Sequence, residues 1–190
     1  NGIGRDFINA DFVQFTTTMA GMGDEAAKKK IIKEKLASLE HVKLQNYLYL
    51  NNHDLTFRHA SDSAGFRDLS MSNGTAWADL DNDGDLDMVT NNINEEAFVY
   101  INNTDTSQHF LQIQLQGDSL NRRAFGASVK VTAGGKTQVQ EQFPVRGYLS
   151  TVDTKISFGL GTNTKADRVL ILWPDGGFDV FENVPADTLL

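Results

Sequence analysis

The segment AWADLDNDGDLDMVTNN, residues 76–92, carries an aspartate at every second position from Asp79 to Asp87. The apolar residues around this run, among them Trp77 and Val89, favour partly buried strands on either side of it. Carboxylates about 4 Å apart repel each other by about 1 kcal/mol per pair even in water, and more when they are partly buried. A bound divalent cation would reverse this repulsion and let the neighbouring apolar residues enter strands on either side of the segment.

The spacing of the run predicts a Ca²⁺ loop. A hard cation such as Ca²⁺ takes about six to eight oxygen ligands, and Gly84 stands where such a loop has to turn sharply. Thr90 stands where an EF-hand would need a bidentate glutamate, so the loop is not an EF-hand. The alternative is a surface turn in which aspartates and asparagines cap their own backbone, but acids at consecutive odd positions favour the metal site. The predicted ligands are the side chains of Asp79, Asp81, Asp83 and Asp87 and the backbone carbonyl of Asp85.

The composition narrows the class of protein. The 190 residues suffice for one large domain or two small ones. A formal net charge of -8 argues against nucleic acid and anionic membranes as partners and fits a protein that binds cations. The absence of cysteine excludes thiol catalysis, zinc–thiolate sites and disulfides, and no apolar run is long enough to span a membrane. Because the chain starts at Asn1 without an initiator methionine, we expect it to be a fragment of a longer protein.

An internal repeat links NYLYLNNHDLTF, at Asn46–Phe57, with AFVYINNTDTSQHF, at Ala97–Phe110. Both segments alternate aromatic and apolar residues before an Asn-Asn pair. Short strands that repeat with a period of about 50 residues are typical of propeller-like arrays. The sequence therefore predicts part of a β-propeller-like repeat array over residues 1–106.

The segment DEAAKKKIIKEKLASLEHVKL predicts one helix in this array, at about residues 24–44. Acidic residues at its start favour a helix N-terminus, and Ile31, Ile32 and Leu36 recur at helical spacing. We expect an insertion between strands that packs one face on a sheet. The Lys28–Lys30 run is either a partner site or, as the pattern favours, the solvated face of this helix.

After residue 106 the pattern changes to regular alternation of apolar and polar residues. The segments HFLQIQLQG, ASVKVTAGG and KTQVQEQF each alternate, with a turn at Gly134–Gly135 between the last two. The segment RVLILWPDGGFDVFENV predicts a hairpin around its Pro-Asp-Gly-Gly turn. These segments predict a second, small all-β domain over residues 107–190, either a sandwich or a barrel. The predicted fold class is therefore mainly β, with the domain boundary in the polar stretch Asn102–Gln108.

The chain resembles two families whose domains occur together. The segment DLDNDGDLDMVTNN resembles the calcium loop of FG-GAP/VCBS repeats, which are the blades of integrin alpha-chain propellers. The segments NRRAFGASVKVTAGGKTQVQ, RGYLSTVDTKISFGLG and RVLILWPDG resemble the ASPIC/UnbV domain, which follows such repeats in cartilage acidic protein and in bacterial secreted proteins. Residues Asn1–Phe15 resemble the exit from an earlier repeat.

The resemblance implies an extracytoplasmic calcium-binding module, secreted, periplasmic or on the cell surface. Such a module would act in adhesion, ligand binding or scaffolding without catalysis of its own. Its partners would be Ca²⁺ and an extracellular protein or glycan. Because a fragment of a propeller leaves a blade edge open, and exposed strand edges pair readily, we also expect some homo-association.

The alternative is an accessory or catalytic part of an extracellular polysaccharide-processing enzyme, since paired carboxylates can act as acid and base. The chain contains no H-E-x-x-H or G-x-S-x-G motif in support of it. Gly159 and Gly161 form a lone Gly-x-Gly, which we interpret as turn glycines. Arg122, Arg146 and Tyr148 are candidate ligand-binding residues; in the competing interpretation Tyr148 fills a core and the arginines lie in turns.

Overall fold

The computed structural model describes residues 10–21, 23–38, 42–103 and 107–190. The predicted mainly β class is confirmed. The helices are α1 (Ala10–Met19) and α2 (Glu25–Ser38). The first strands are β1 (Leu44–Gln45), β2 (Tyr49–Asn51), β3 (Phe57–His59), β4 (Leu69–Ser70), β5 (Ser72–Ala78), β6 (Asp87–Asn92) and β7 (Phe98–Tyr100). The later strands are β8 (His109–Gln114), β9 (Ser128–Ala133), β10 (Lys136–Glu141), β11 (Lys155–Gly161), β12 (Lys165–Leu172), β13 (Phe178–Pro185) and β14 (Thr188–Leu189).

Helix α2 lies within the predicted helical segment but is shorter. Asp24 begins it, because the Asp24 Oδ1 atom accepts the backbone N–H groups of Ala26 and Ala27 at 3.0 and 3.1 Å. Leu44, predicted as the end of this helix, instead pairs with Ser70 in the antiparallel strands β1 and β4. No residue of α2 is fully buried, but Ile31, Ile32 and Leu36 are half-buried, and α1 precedes α2 among the described residues. Packing of this helix face on a sheet stays a prediction.

Helix α1 is absent from the sequence-based prediction. Residues 1–9 of the predicted repeat exit lie outside the described residues, and residues 10–15 are helical. Threonine is a weak helix former, but Thr17 donates its hydroxyl to the carbonyl of Val13 one turn earlier, at 2.9 Å. Phe12 is buried, and this tertiary contact stabilises a helix too short to persist alone. Neither described helix is long and apolar enough to cross a membrane.

The first seven strands form three small sheets. Their orders are β1-β4, β2-β3 and β5-β6-β7. The two copies of the internal repeat both contribute a strand, since Tyr49–Asn51 is β2 and Phe98–Tyr100 is β7. Sheets of two and three strands do not establish propeller blades, so the propeller-like array stays a prediction.

The chain divides into two compact units. One comprises residues 1–73 and 91–96, and the other comprises residues 74–90 and 97–190. The aspartate segment therefore belongs to the same unit as the C-terminal strands. The predicted boundary between residues 106 and 107 differs from this division, and it stays a prediction about which part of the chain folds independently.

The C-terminal strands form two sheets around one hydrophobic core. The four-stranded sheet has the order β10-β9-β12-β13, and the three-stranded sheet has the order β11-β8-β14, with β14 parallel to β8. Both sheets contribute alternate apolar residues to the core, among them Leu111, Ile113, Val129, Val131 and Phe158. Residues 107–190 form no closed barrel, so two packed sheets are the alternative that the structure supports.

Both predicted turns of this domain are present. Gly134 and Gly135 join β9 to β10 with φ angles of 54° and 75°, as a two-residue hairpin turn with positive φ at both positions requires. The Pro-Asp-Gly-Gly segment joins β12 to β13, where Leu172 pairs with Phe178. Local turn chemistry therefore predicted these hairpins correctly.

Strand β11 differs from the sequence-based prediction. Gly159 lies inside this strand, and the pairing with β8 shifts register between Gly159 and Gly161. The interpretation as a turn glycine is therefore wrong for Gly159. Gly161 ends the strand and is also the second residue of a turn, in which the N–H of Asn163 donates to the carbonyl of Leu160 at 3.2 Å. Glycine accommodates the positive φ of 61° at Gly161, beside the irregularity in the pairing.

Strand β8 is buried on both of its faces. Leu111 and Ile113 belong to the core, so Phe110 and Gln112 lie on the opposite face, because successive side chains of a strand alternate. Gln112 is only 7% exposed, although the alternation of apolar and polar residues along this strand predicts that Gln112 faces solvent. Part of the chain outside the two sheets must therefore cover this second face.

We predict that Val131→Ala lowers the free energy of unfolding by about 1.5–3 kcal/mol, because it removes buried methyl groups and leaves a cavity. Val131 on β9 is 0% exposed, whereas Val139 on the adjacent strand β10 is 58% exposed. Val139→Ala is the matched control and should change stability by less than about 0.5 kcal/mol. Chemical denaturation measures both variants, and equal losses would contradict this placement of the core.

We also predict that residues 107–190, expressed alone, unfold cooperatively. Both sheets and the core between them lie within this segment. The segment should be less stable than the whole chain, since it lacks the residues that cover Phe110 and Gln112. Denaturant unfolding followed by circular dichroism measures this, and a gradual transition would show that the segment is not an independent domain.

Candidate metal centre

The aspartate loop, residues 79–87, connects two strands. Strand β5 ends at Ala78 and strand β6 begins at Asp87, so the predicted strands on either side of the run are confirmed. Asp87 is 1% exposed. Its Oδ2 atom accepts the N–H of Leu80 at 2.8 Å, and its Oδ1 atom accepts the N–H of Asn102 at 2.9 Å. Asp87 therefore holds together the start of the loop and the chain that follows β7.

Asp79 is held from two directions. Its Oδ2 atom accepts the N–H of Gly84 at 3.2 Å, across the loop, and the side-chain N–H of Gln112 on β8 at 2.7 Å. Its Oδ1 atom is buried and accepts no hydrogen bond from the described residues. Burying a carboxylate oxygen without a partner is costly, so this atom is suited to a ligand that supplies positive charge.

Three of the predicted ligands come together. Carboxylate oxygens of Asp79, Asp81 and Asp87 all lie within 4.8 Å of one another. Two oxygens on opposite sides of a Ca²⁺ ion are at most about 5.2 Å apart, which is twice the longest usual Ca–O distance. The three carboxylates therefore fit the shell of one Ca²⁺ ion, and oxygen is the ligand atom that this ion prefers.

Asp83 and Asp85 are not members of this group of three. The Asp83 Oδ1 atom accepts the N–H of Asp85 at 3.0 Å, which is the self-capping geometry of the surface-turn alternative. Ligation by the Asp83 side chain and by the Asp85 carbonyl stays a prediction. The loop therefore contains a local turn at Asp83–Asp85 and, separately, the three carboxylates of Asp79, Asp81 and Asp87 that lie close together.

Like charges perturb the loop. Removal from water raises the pKa of the Asp81 carboxyl, and the negative charges of Asp83 and Asp87 raise it further. A pKa that is higher in the folded than in the unfolded state gives a contribution to stability that is present at low pH and is lost as the pH rises through the folded-state pKa. At neutral pH the ionised carboxyl therefore opposes folding of the loop unless a cation neutralises it.

Gly84 lets the loop lie against β8. Its φ angle is 97°, a left-handed conformation that side chains disfavour. A Cβ atom at this position would lie 1.9 Å from Cε1 of Phe110, so only glycine allows the loop backbone to rest on that ring. Together with the bond between Gln112 and Asp79, this contact covers the second face of β8.

Gln112 and Phe110 are site residues that the motif reasoning missed. They are distant in sequence from the loop, and the alternating pattern of HFLQIQLQG predicts only that they share the face opposite to the core. The only signal in the sequence is glutamine at every second position of this segment, and the sequence does not show which residues contact those glutamines. No local rule connects it to the aspartates.

One of the three candidate ligand-binding residues, Arg146, lies beside the aspartate loop. Arg146 lines a cavity of about 60 Å³ that also touches Asp79 and Trp77, whereas Arg122 and Tyr148 do not line it. Arg146 lies over the ring of Phe143, with its guanidinium carbon 5.7 Å from the ring centroid. Tyr148 is 66% exposed, so the competing interpretation that it fills a core is wrong. Ligand binding by these residues stays a prediction.

His109 and Asp187 form a pair that resembles an acid–base dyad but serves the fold. His109 Nδ1 lies 2.7 Å from Asp187 Oδ2, and Asp187 Oδ1 accepts the N–H of Phe110 at 3.2 Å. Desolvation raises the pKa of Asp187, but the hydrogen bonds from His109 and Phe110 and the charge of His109 outweigh it and lower this pKa overall. The N–H of Asp187 also donates to the carbonyl of Phe110 at 2.8 Å, so the pair fixes the start of β14 beside β8.

The fold and the loop define a mainly β protein with a two-sheet domain and an adjoining acidic centre. Residues 117–190 match the family model described as ASPIC and UnbV, so the resemblance to that family is confirmed for this segment. Domains of this family occur in extracellular and secreted proteins. An FG-GAP/VCBS repeat is not detected, and that resemblance stays a prediction. Comparison with curated proteins gives no match.

We predict that Gly84→Ala destabilises the protein by about 2–5 kcal/mol, the sum of left-handed backbone strain and overpacking against Phe110. Gly176→Ala is the matched control: its φ angle is 91°, and a Cβ atom there meets nothing within 4 Å. The control should lose only the strain, about 1–2 kcal/mol. Denaturant unfolding measures both, and equal losses would contradict close packing of the loop on β8.

Proposed function

We propose that this chain is an extracytoplasmic module that binds Ca²⁺ at the aspartate loop and acts in adhesion, ligand binding or scaffolding, without catalysis of its own. The observation that carries the calcium proposal is the convergence of Asp79, Asp81 and Asp87 within 4.8 Å, with the Asp79 Oδ1 atom buried and unpaired among the described residues. The net charge of -8 further favours a cation over nucleic acid as a partner.

The role of the ion in this proposal is structural. The loop packs on β8 through Gly84 and through the bond from Gln112 to Asp79, within one compact unit. A divalent cation removes the repulsion among the carboxylates and so favours the conformation in which the loop covers that strand.

The extracytoplasmic location in this proposal is supported by the match of residues 117–190 to ASPIC and UnbV, whose domains occur in extracellular and secreted proteins. Calcium sites of extracellular modules bind with Kd values of about 10⁻⁴–10⁻³ M. A loop with a few carboxylates and an open tip suits that range. We propose an extracellular protein or glycan as the partner, and homo-association through an open strand edge as a further possibility for this length of chain.

The catalytic alternative, a part of a polysaccharide-processing enzyme, has weaker support. The carboxylates of Asp79, Asp83 and Asp87 accept backbone N–H groups, and that of Asp79 also accepts the side-chain N–H of Gln112. The pair of His109 and Asp187 is occupied in fixing β14. Both groups of residues have structural partners that account for their positions, so we do not assign them an acid–base role.

We predict that Ca²⁺ raises the melting temperature of the chain relative to excess chelator. A ligand at about one hundred times its Kd stabilises the folded state by about 2.7 kcal/mol, which corresponds to about 5–10 °C for a chain of this size. Asp81→Asn should abolish most of this increase, because it removes a charged ligand while keeping the size of the side chain. Its melting temperature in chelator should equal or slightly exceed that of the wild type, since repulsion is reduced.

Asp167→Asn is the control for this experiment. Asp167 also accepts a backbone N–H, from Gly134 at 3.0 Å, but it is not among the converging carboxylates. It should keep the full response to Ca²⁺. Absence of any response in the wild type at about 10–100 mM Ca²⁺, which is one hundred times the expected Kd, or an undiminished response in Asp81→Asn, would exclude the proposed site.

A further inference from the structure

A pocket of about 350 Å³ lies in the C-terminal domain, apart from the aspartate loop. One side of it is the turn between β12 and β13, and the other side is the segment that follows β8. Its lining residues are Trp173, Pro174 and Asp175 from the turn, and Gln116, Gly117, Asp118, Asn121 and Ala124 from the segment. The volume falls within the usual range for small-ligand sites.

The segment side of the pocket is rigid. The Asp118 Oδ1 atom accepts the N–H groups of Leu120 and Asn121, both at 2.9 Å. The side chain of Asn121 accepts the N–H of Phe125 at 2.9 Å and donates to the carbonyl of the same residue at 2.8 Å. These bonds fix the segment before any ligand arrives, which lowers the entropy cost of binding.

The turn side is equally fixed. The indole of Trp173 packs against the hydrophobic core, and its Nε1–H donates to Asp179 Oδ2 at 2.7 Å. The Asp175 Oδ1 atom accepts the N–H of Gly177 at 2.9 Å inside the turn. An aromatic ring and a carboxylate among the lining residues are therefore held in defined positions.

The remaining hydrogen-bonding capacity of the lining is strongly one-sided. The indole N–H of Trp173 and one of the two amide N–H groups of Asn121 are already used within the protein. Asp118 and Asp175 each keep a second carboxylate oxygen that no described residue occupies, and Gln116 supplies the one side-chain amide among the lining residues that is not engaged. No lysine or arginine lines the pocket. The lining thus accepts hydrogen bonds and carries negative charge.

We propose that this pocket binds an organic cation, either a primary ammonium or a guanidinium group. Such groups only donate hydrogen bonds, so they match a lining rich in acceptors. Charge-assisted bonds to carboxylates are stronger than neutral ones, and an indole attracts a cation further. A neutral sugar needs donors as well as acceptors, and the lining offers it few. The cation comes either from a small amine or from a lysine or arginine side chain of a polypeptide.

The site is independent of the proposed calcium loop, so the two proposals can fail separately. Calorimetric titrations of the whole chain in chelator should use N-acetyl-lysine amide and N-acetyl-arginine amide as cationic probes. N-acetyl-norleucine amide is the neutral control of similar length, and a methyl glycoside represents sugars. At least one cationic probe should bind in the millimolar range or tighter, and added salt should weaken it.

Asp118→Asn and Asp175→Asn test the carboxylates. Asparagine keeps the Oδ1 atom that caps the local backbone, so each variant should fold, while binding of the cationic probe should weaken about three- to tenfold. Asp167→Asn and Asp81→Asn are controls outside the pocket and should bind like the wild type. Unchanged melting temperatures in chelator verify that the pocket variants are intact.

The results distinguish a small amine from a polypeptide side chain as the source of the cation. They also distinguish a cationic ligand from an apolar ligand and from a sugar. Equal affinity for a free amide and for the same residue inside a glycine-flanked peptide supports a small-molecule ligand, and tighter binding of the peptide supports a polypeptide partner. Binding of norleucine amide as tight as that of the cations, binding of the glycoside alone, or no binding of either cation would overturn the proposal. Full affinity in both pocket variants would overturn it as well.

Discussion

The contact between the aspartate loop and strand β8 is the constraint on which the C-terminal unit depends. Strand β8 carries Leu111 and Ile113 on its core face and Phe110 and Gln112 on the other. The second face cannot be left to water without exposing an aromatic ring, and the aspartate loop covers it through Gly84 and Asp79. A highly charged segment thus completes the burial of a strand that lies far from it in sequence.

This arrangement explains why the loop has the composition it has. A covering segment needs a close backbone approach, which only glycine provides over the Phe110 ring. It also needs an acceptor for the buried amide of Gln112, which Asp79 provides. The further carboxylates are not required by that packing and raise the electrostatic cost of the apo loop. The repulsion among these carboxylates is the physical basis of the proposal that the loop binds a cation.

The proposed organic-cation pocket uses the same physical logic in a different place. Its segment and turn use several of their own donors in internal hydrogen bonds, so the charged groups left for a ligand are acceptors. In both acidic centres some carboxylates accept hydrogen bonds through one oxygen and keep the second oxygen available, as Asp79 does in the loop and Asp118 and Asp175 do in the pocket. The two centres differ in geometry. In the loop, oxygens of three carboxylates lie within 4.8 Å of one another, whereas in the pocket two carboxylates line a cavity together with an indole ring.

The sequence by itself determined what depends on neighbouring residues. Alternation predicted strands β8, β9, β10, β12 and β13, the glycine pair and the Pro-Asp-Gly-Gly segment predicted their turns, and the spacing of the aspartates predicted a loop between two strands. It did not predict α1 or the end of α2, since propensity over a short helix is weaker than the tertiary contacts that select it.

Only the tertiary structure decided which residues meet across long stretches of chain. It selected two packed sheets over a barrel, placed Gly159 inside strand β11, and joined Asp81 to Asp79 and Asp87 while leaving Asp83 in a local turn. The partners of Gln112 and Trp173 were likewise invisible in the sequence. The physical reason is that the periodicity of apolar residues shows which side of a strand is buried, but not which segment covers that side. The covering segment is selected by packing and hydrogen bonds between residues that are distant in the chain.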